Sequence, residues 1–159
     1  MSDTERMILS ALQSWNQVIA RLDQKLLNLT DEQLERQISP ERNRLIYLLG
    51  HLTVAHDKMR ILLRMSDRLH PELDIEFFDH PDRSQSHQFS SSDLKKAWSD
   101  VNQDLMAGMF KFSSKEWLDR HGAVSEAEFL VDQSRTRLAI LLSRTNHASF
   151  HLGQIVLVK

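Results

Sequence analysis

Two histidines four residues apart, His147 and His151, and a third far upstream, His51, are the side chains whose types and spacing point to chemistry. His147 and His151 lie in Arg144-Thr-Asn-His-Ala-Ser-Phe-His-Leu-Gly-Gln154, a segment patterned as a helix. A spacing of i, i+4 sets two side chains one turn apart on a single face. Two imidazoles so placed can hold a divalent cation. A third, from another helix, makes three protein ligands and leaves a position open for water or substrate. The segment lacks a Glu after its first His, so it is not the zinc-protease pattern His-Glu-x-x-His. The Glu-x-x-His element of di-iron bundles is also missing from the chain.

The third ligand has two contenders. His51 and His56 share one predicted helix but point roughly 140° apart around its axis, at opposite margins of its apolar arc. Only one of them can readily meet the C-terminal pair, and periodicity leaves the choice open. Arg44 and Tyr47 lie along the His51 side, at i−7 and i−4, placed to orient an anionic substrate or a metal-bound water. Gln154 follows His151 by three residues and suits a hydrogen bond to its ring; Tyr47 and Asn146 are the corresponding guesses for the other two rings. His70, His80, His87 and His121 fall in the connections between helices. His80 and His87 flank a short Pro81-to-Ser86 stretch, but without helical geometry or a third ligand they read as surface histidines.

Four long helices must position these groups. The first spans about Thr4 to Leu29, with Ile8, Leu12, Trp15, Val18, Ile19, Leu22 and Leu26 in one stripe. Thr30 with Gln33 forms a capping box for a short helix. Ser39-Pro40-Glu41 reads as the start of the second long helix, which runs to about Met65. Residues 66–91 carry no periodicity and form a long connection with, at most, a short helical turn. The third helix begins at Ser90-Ser-Ser-Asp93 and buries Leu94, Trp98, Val101, Leu105, Met109 and Phe112. A second crossing, 113–134, holds a short helix around Glu116 to Arg120, and the last helix starts near Arg135. These elements predict one all-α domain over residues 1–159, a four-helix bundle with two long crossover connections. The last helix has two apolar sides, Leu138, Leu142, Ala148, Leu152 and Val156 on one and Ile140, Ile155 and Val158 with the two histidines on the other. Covering both needs a further element, either the connecting loops or, as the simple candidate, a second subunit, and a homodimer is expected.

Composition narrows the partners. The chain has 159 residues, 41% of them hydrophobic, with only 4 Gly and 3 Pro, which suits long helices and a full core. No cysteine is present, which excludes disulfides, thiolate zinc sites and a cysteine nucleophile. Any thiol must come from a bound small molecule. A net charge of −2 with signs interspersed offers no basic groove for nucleic acid. No apolar run reaches the roughly 18–20 residues that cross a membrane, and the first residues lack the pattern of a signal peptide, so a cytoplasmic protein is expected.

Arg44-Leu-Ile-Tyr-Leu-Leu-Gly-His51-Leu-Thr-Val-Ala-His-Asp-Lys-Met59, taken with His147-Ala-Ser-Phe-His151-Leu-Gly-Gln154-Ile, resembles the DinB/YfiT-like superfamily. In that family one histidine comes from the second helix, in a setting like Leu-Leu-Gly-His-Leu, and two come from the fourth as His-x-x-x-His. By position in these motifs, the resemblance implies that His51, His147 and His151 are the metal ligands, and so prefers His51 to His56. It implies a four-helix bundle with overhand connections, a dimer, and a divalent metal, chiefly zinc or nickel. The chemistry it implies is hydrolysis, or transfer and isomerisation with a low-molecular-weight thiol, on a small-molecule substrate. The alternative from a different class is a non-catalytic, dimeric, metal- or ligand-binding protein of stress response. Three neutral imidazoles leave the full charge of a cation in place, so a water or thiol beside it would be strongly acidified.

Overall fold

The computed structural model describes residues 1–84 and 88–158, and these are all-helical with no strand. Helix α1 (Asp3–Leu26) is capped by Ser2, whose hydroxyl accepts from Glu5 N while the Glu5 carboxylate accepts from Ser2 N. Its stripe buries Ile8, Leu12, Trp15, Ile19, Leu22 and Leu26, with Val18 at the margin. The Thr30–Gln33 capping box starts the one-turn helix α2 (Asp31–Leu34), as expected.

The second long helix departs from the sequence expectation at its start. Helix α3 runs Leu45–Leu62 and does not begin at Pro40. Residues 36–45 instead fold back on themselves: Ile38 N donates to Asn43 O, Leu45 N to Arg36 O, and Arg42 N to Ser39 O. Pro40 occupies the second position of this turn and Glu41 the third, with a φ of 61°. Proline presets φ for that position, and the Glu41 N–H is satisfied by the Gln37 side chain. The same Pro that suits a first helical turn therefore serves a tight turn.

Helix α3 is also not an amphipathic arc. It is buried on nearly every side from Leu45 to Arg60, His51 and Lys58 being among the few exceptions. Helix α5 (Ser91–Met109), helix α8 (Arg137–Ile155) and the segment after α3 all pack on it. That segment contains a 3-10 turn (Pro71–Leu73) and helix α4 (Asp74–Phe77). Polar groups on α3 tie it down. The fully buried Asp57 carboxylate accepts from Leu69 N (2.8 Å), His70 N (2.9 Å) and Arg68 Nε (3.1 Å). Arg60 Nε donates to Asp67 O at 2.7 Å. At the other end Tyr47 Oη donates to His80 O at 2.7 Å. Gly50 completes the fit, because a Cβ there would meet the Phe77 ring at 2.3 Å. The ring can pack against α3 at Gly50 only because that atom is missing.

Helix α5 begins at the Ser90–Asp93 capping box and buries Leu94, Trp98, Val101, Leu105 and Met109 as expected. The crossing after it holds helix α6 (Ser114–Trp117) and a second helix absent from the sequence reading, α7 (Glu126–Val131). A capping box marks it too, Ser125 with Glu128. Helix α8 packs on α1 and α3 through Leu141, Thr145, Ala148, Leu152 and Ile155. Leu142 and Val156, expected on the buried stripe, are exposed, because the helix turns the neighbouring Leu141–Ile155 register inward. No helix among the described residues is long and apolar enough to cross a membrane.

Candidate metal centre

Leu45 and Ile155 line one small cavity, so the start of α3 lies beside the end of α8 and the two helices run antiparallel. This arrangement brings His51 opposite His147 and His151. His147 Nε2 lies 3.2 Å from His51 Nε2 and 3.2 Å from His151 Nε2. Donor atoms of the three residues all fall within 4.8 Å of one another, the one such His/Cys/Asp/Glu group among the described residues. The rings meet edge to face, with centroids 4.7–5.2 Å apart.

The donor set fits a tetrahedral cation. An ion about 2.0–2.1 Å from each imidazole nitrogen spaces its donor atoms about 3.3–3.4 Å apart, close to the 3.2 Å from His147 Nε2 to each of the other two. The tautomers agree as well. His51 Nδ1 lies 3.1 Å from the Phe77 carbonyl, which can only accept, so Nδ1 carries the proton and the Nε2 lone pair faces the site. His151 Nδ1 meets Gln154 Oε1 at 2.8 Å, with the same consequence. His147 Nδ1 is buried without a hydrogen-bond partner among the described residues. The His51 ring is held flat between Tyr47 and Phe78, both within 11° of parallel to it.

Burial, the largest influence, pushes the pKa of all three rings down. For His147 it acts together with the neighbouring His151, His51 and Arg144 charges, and the result is about 4. The Phe77 carbonyl partly offsets the effect at His51, and Gln154 at His151. All three are therefore neutral at neutral pH, the form that binds metal.

Among the outer residues named from sequence, Gln154 is where it was expected. Tyr47 is not: its hydroxyl is engaged with His80 O, and the partner of His51 is the Phe77 carbonyl. Asn146 is exposed, and among the described residues it makes no hydrogen bond to the His147 ring. Arg44 does not face the site as a free cation. It caps α3 and clasps Asp82 through Nε (3.1 Å), Nη2 (2.6 Å) and its backbone N (2.8 Å), with Glu35 on Nη1 at 2.6 Å. The salt links of Arg44 are structural, pinning the segment after α3 to its first turn.

His56 is not at a margin. It is fully buried between Trp15 and Trp98, at centroid distances of 4.7 and 5.0 Å, and donates Nδ1–H to Asn102 Oδ1 at 2.9 Å. Burial drives its pKa down to about 3. His70 meets Glu72, His80 meets the Ile75 carbonyl, and His121 accepts from Ala123 N, so none joins the centre. His87 lies outside the described residues. Phe77, Phe78 and Arg144 were given no role from sequence. The Phe77 carbonyl has no signal in a sequence, whereas Arg144 shares the face of His147 at i−3.

A cleft of about 630 Å³ opens beside His151, lined by Ile38, Arg42, Asn43, Phe150, Gln154 and Leu157 among others. It sits within the size range of small-molecule sites.

The sequence model of the DinB superfamily matches residues 14–155, nearly the whole chain. A crystal structure of a conserved protein from Enterococcus faecalis has the same fold, with a TM-score of 0.60 at 18% identity, over 99% of this chain and 98% of that one. No curated protein matches the chain.

Proposed function

This chain belongs to the DinB superfamily, and we propose that it is a divalent-metal-dependent enzyme whose ion is held by His51, His147 and His151. The observation that carries this is the convergence of three Nε2 atoms with two of the three opposite ring nitrogens already hydrogen-bonded. The reaction is hydrolysis or a low-molecular-weight-thiol-dependent transfer on a small molecule, and zinc or nickel is the metal. When bound, the ion supplies Lewis acidity and acidifies a water or thiol beside it. The chain's own residues do the rest. The Phe77 carbonyl and Gln154 hold the tautomers of His51 and His151. Tyr47 and Phe78 fix the plane of the His51 ring. Phe150, Ile38 and Leu157 line the route by which a substrate reaches His151, and keep it partly dry. The four long helices form a bundle with overhand connections, as one domain. Exposed Leu142 and Phe150 on α8 and Val156 just after it, with open space over Gly153, suit close approach of a second copy, and the chain is read as a cytoplasmic homodimer.

The non-catalytic alternative has one observation in its favour. Arg44 and Tyr47, the candidates for handling substrate, are both committed to structural contacts. Elemental analysis and calorimetry of the purified protein come first, and near-stoichiometric metal lost in His147→Ala is the expected result. Turnover of the metal-loaded protein on a panel of esters, amides and electrophiles, with and without added thiols, then separates the two readings. No turnover with zinc, nickel, manganese or iron leaves the binding protein.

A further inference from the structure

Arg144 differs from every other arginine drawn deep into this fold. Arg44 pairs with Asp82 and Glu35, Arg60 with Asp104, and Arg68 with Asp57 and Asp74. Arg137 donates to the Glu116 carbonyl and covers the Phe112 ring. Among the described residues Arg144 has no hydrogen bond or ion pair, and its Nε is buried. Leaving a partly buried guanidinium without a partner is costly, so such a group suits a place where something else supplies the counter-charge.

Its position says what that is. Arg144 lies one turn before His147 on the same face of α8, and its charge is felt at His51, His56 and His147. No carboxylate is among the groups that act on the three clustered histidines. Lys58, whose ammonium lies over the Phe78 ring, is already paired with Asp74. A divalent ion on three neutral ligands would thus sit beside a second, unpaired cation with no acid to balance either. A planar guanidinium presents two parallel N–H groups that match the two oxygens of a carboxylate or phosphate, which a water cannot do.

We propose that Arg144 is an oxyanion-binding residue of this centre, and that the substrate is a small molecule whose carboxylate or phosphate group is held by the guanidinium next to the ion. This rests on the metal-centre reading above. It narrows the substrate class from any small molecule to an anionic one. It also assigns Arg144 the part that Arg44 was expected to play.

Cobalt(II)-loaded protein provides the test, because its visible spectrum reports ligands arriving at the ion without any turnover. Acetate and inorganic phosphate are titrated into wild type, Arg144→Gln and Arg144→Lys, with acetamide as the uncharged control. The tighter of the two anions identifies the group recognised. The expected result is anion affinity lower by about tenfold or more in Arg144→Gln, the loss of a charge-assisted hydrogen-bonded pair. Arg144→Lys, which keeps the charge and loses the fork, falls between. Acetamide affinity stays the same in all three. In anion-free buffer, cobalt affinity of Arg144→Gln rises a few fold, since a repelling cation is gone, which checks that the guanidinium stands beside the ion. Anion affinity in Arg144→Gln within twofold of wild type, with cobalt still bound, overturns the assignment. Cobalt bound by wild type but blind to both anions also overturns it and leaves the metal centre standing. Failure of wild type to bind cobalt at all defeats the metal centre itself.

Discussion

His51 and His56 sit five residues apart on one helix and have been put to opposite uses. His51 lies on the side of α3 that faces α8, partly open, its Nδ1 tied to a backbone carbonyl and its Nε2 turned toward two more imidazoles. His56 lies on the side that faces α1 and α5, closed off between two tryptophans, with Nδ1 given to Asn102. Residue type and helix are the same. The neighbour on the second ring nitrogen and the access of solvent decide the difference. A histidine becomes a ligand when a backbone or amide oxygen fixes one nitrogen and leaves the other aimed at open space shared with further donors. It becomes core when the space around it is filled with rings.

The largest effect that sharpens this contrast is on metal affinity. His51→Ala or His147→Ala is expected to weaken zinc binding on the order of a hundredfold or more, since each supplies one of three bonds in a site whose whole binding free energy is roughly 10 kcal/mol or more. Calorimetry checks this, and thermal melting of the metal-free variants should change little. His56→Ala should do the reverse. Emptying a pocket between two tryptophans and orphaning Asn102 costs about 2–4 kcal/mol of folding stability, read from urea denaturation of the metal-free protein. A stability equal to wild type would break the comparison.

Acid provides the next lever. The folded-state pKa of His56 is about 3, below its ordinary value near 6.5. Between those values the unfolded chain takes a proton and the folded chain does not. Stability is therefore full above about pH 6.5 and falls as pH drops toward 3, by up to about 1.4 kcal/mol per pH unit from this group alone. His147, at about 4 when folded, adds to the slope in the metal-free protein. Urea midpoints measured from pH 8 to pH 4 should stay level at first and then decline, and His56→Gln should flatten the decline. The smallest effect belongs to Gln154. Removing it frees the His151 tautomer without removing a ligand, so Gln154→Ala is expected to lower zinc affinity about tenfold, the low end of what such partners contribute. An unchanged affinity would show that the hydrogen bond to His151 is incidental.

Much of the centre could be read before any tertiary contact was known. The i, i+4 spacing put His147 and His151 on one face, and i+3 put Gln154 within reach of the second ring. Capping boxes at Thr30, Ser90 and Ser125 are printed in residue types at fixed offsets, although the last went unread. Pro40 misled because one fixed φ serves both a helix start and the second position of a turn. Arg44 misled because its partner, Asp82, lies 38 residues away. Both ends of that contact had to be folded before it could be recognised.

Local spacing is a property of the backbone and holds in any chain that adopts a helix, so the sequence by itself determined that the chain is helical, that two imidazoles share a face, and that no thiolate belongs to the protein. Which histidine of α3 joins them, which carbonyl holds it, and which arginine is left without an acid depend on how separate helices lie against each other. Those contacts are set by packing around Gly50, Trp15 and Trp98. Burial and pairing at these positions are decided by atoms distant in the chain, and only the tertiary structure brings them together.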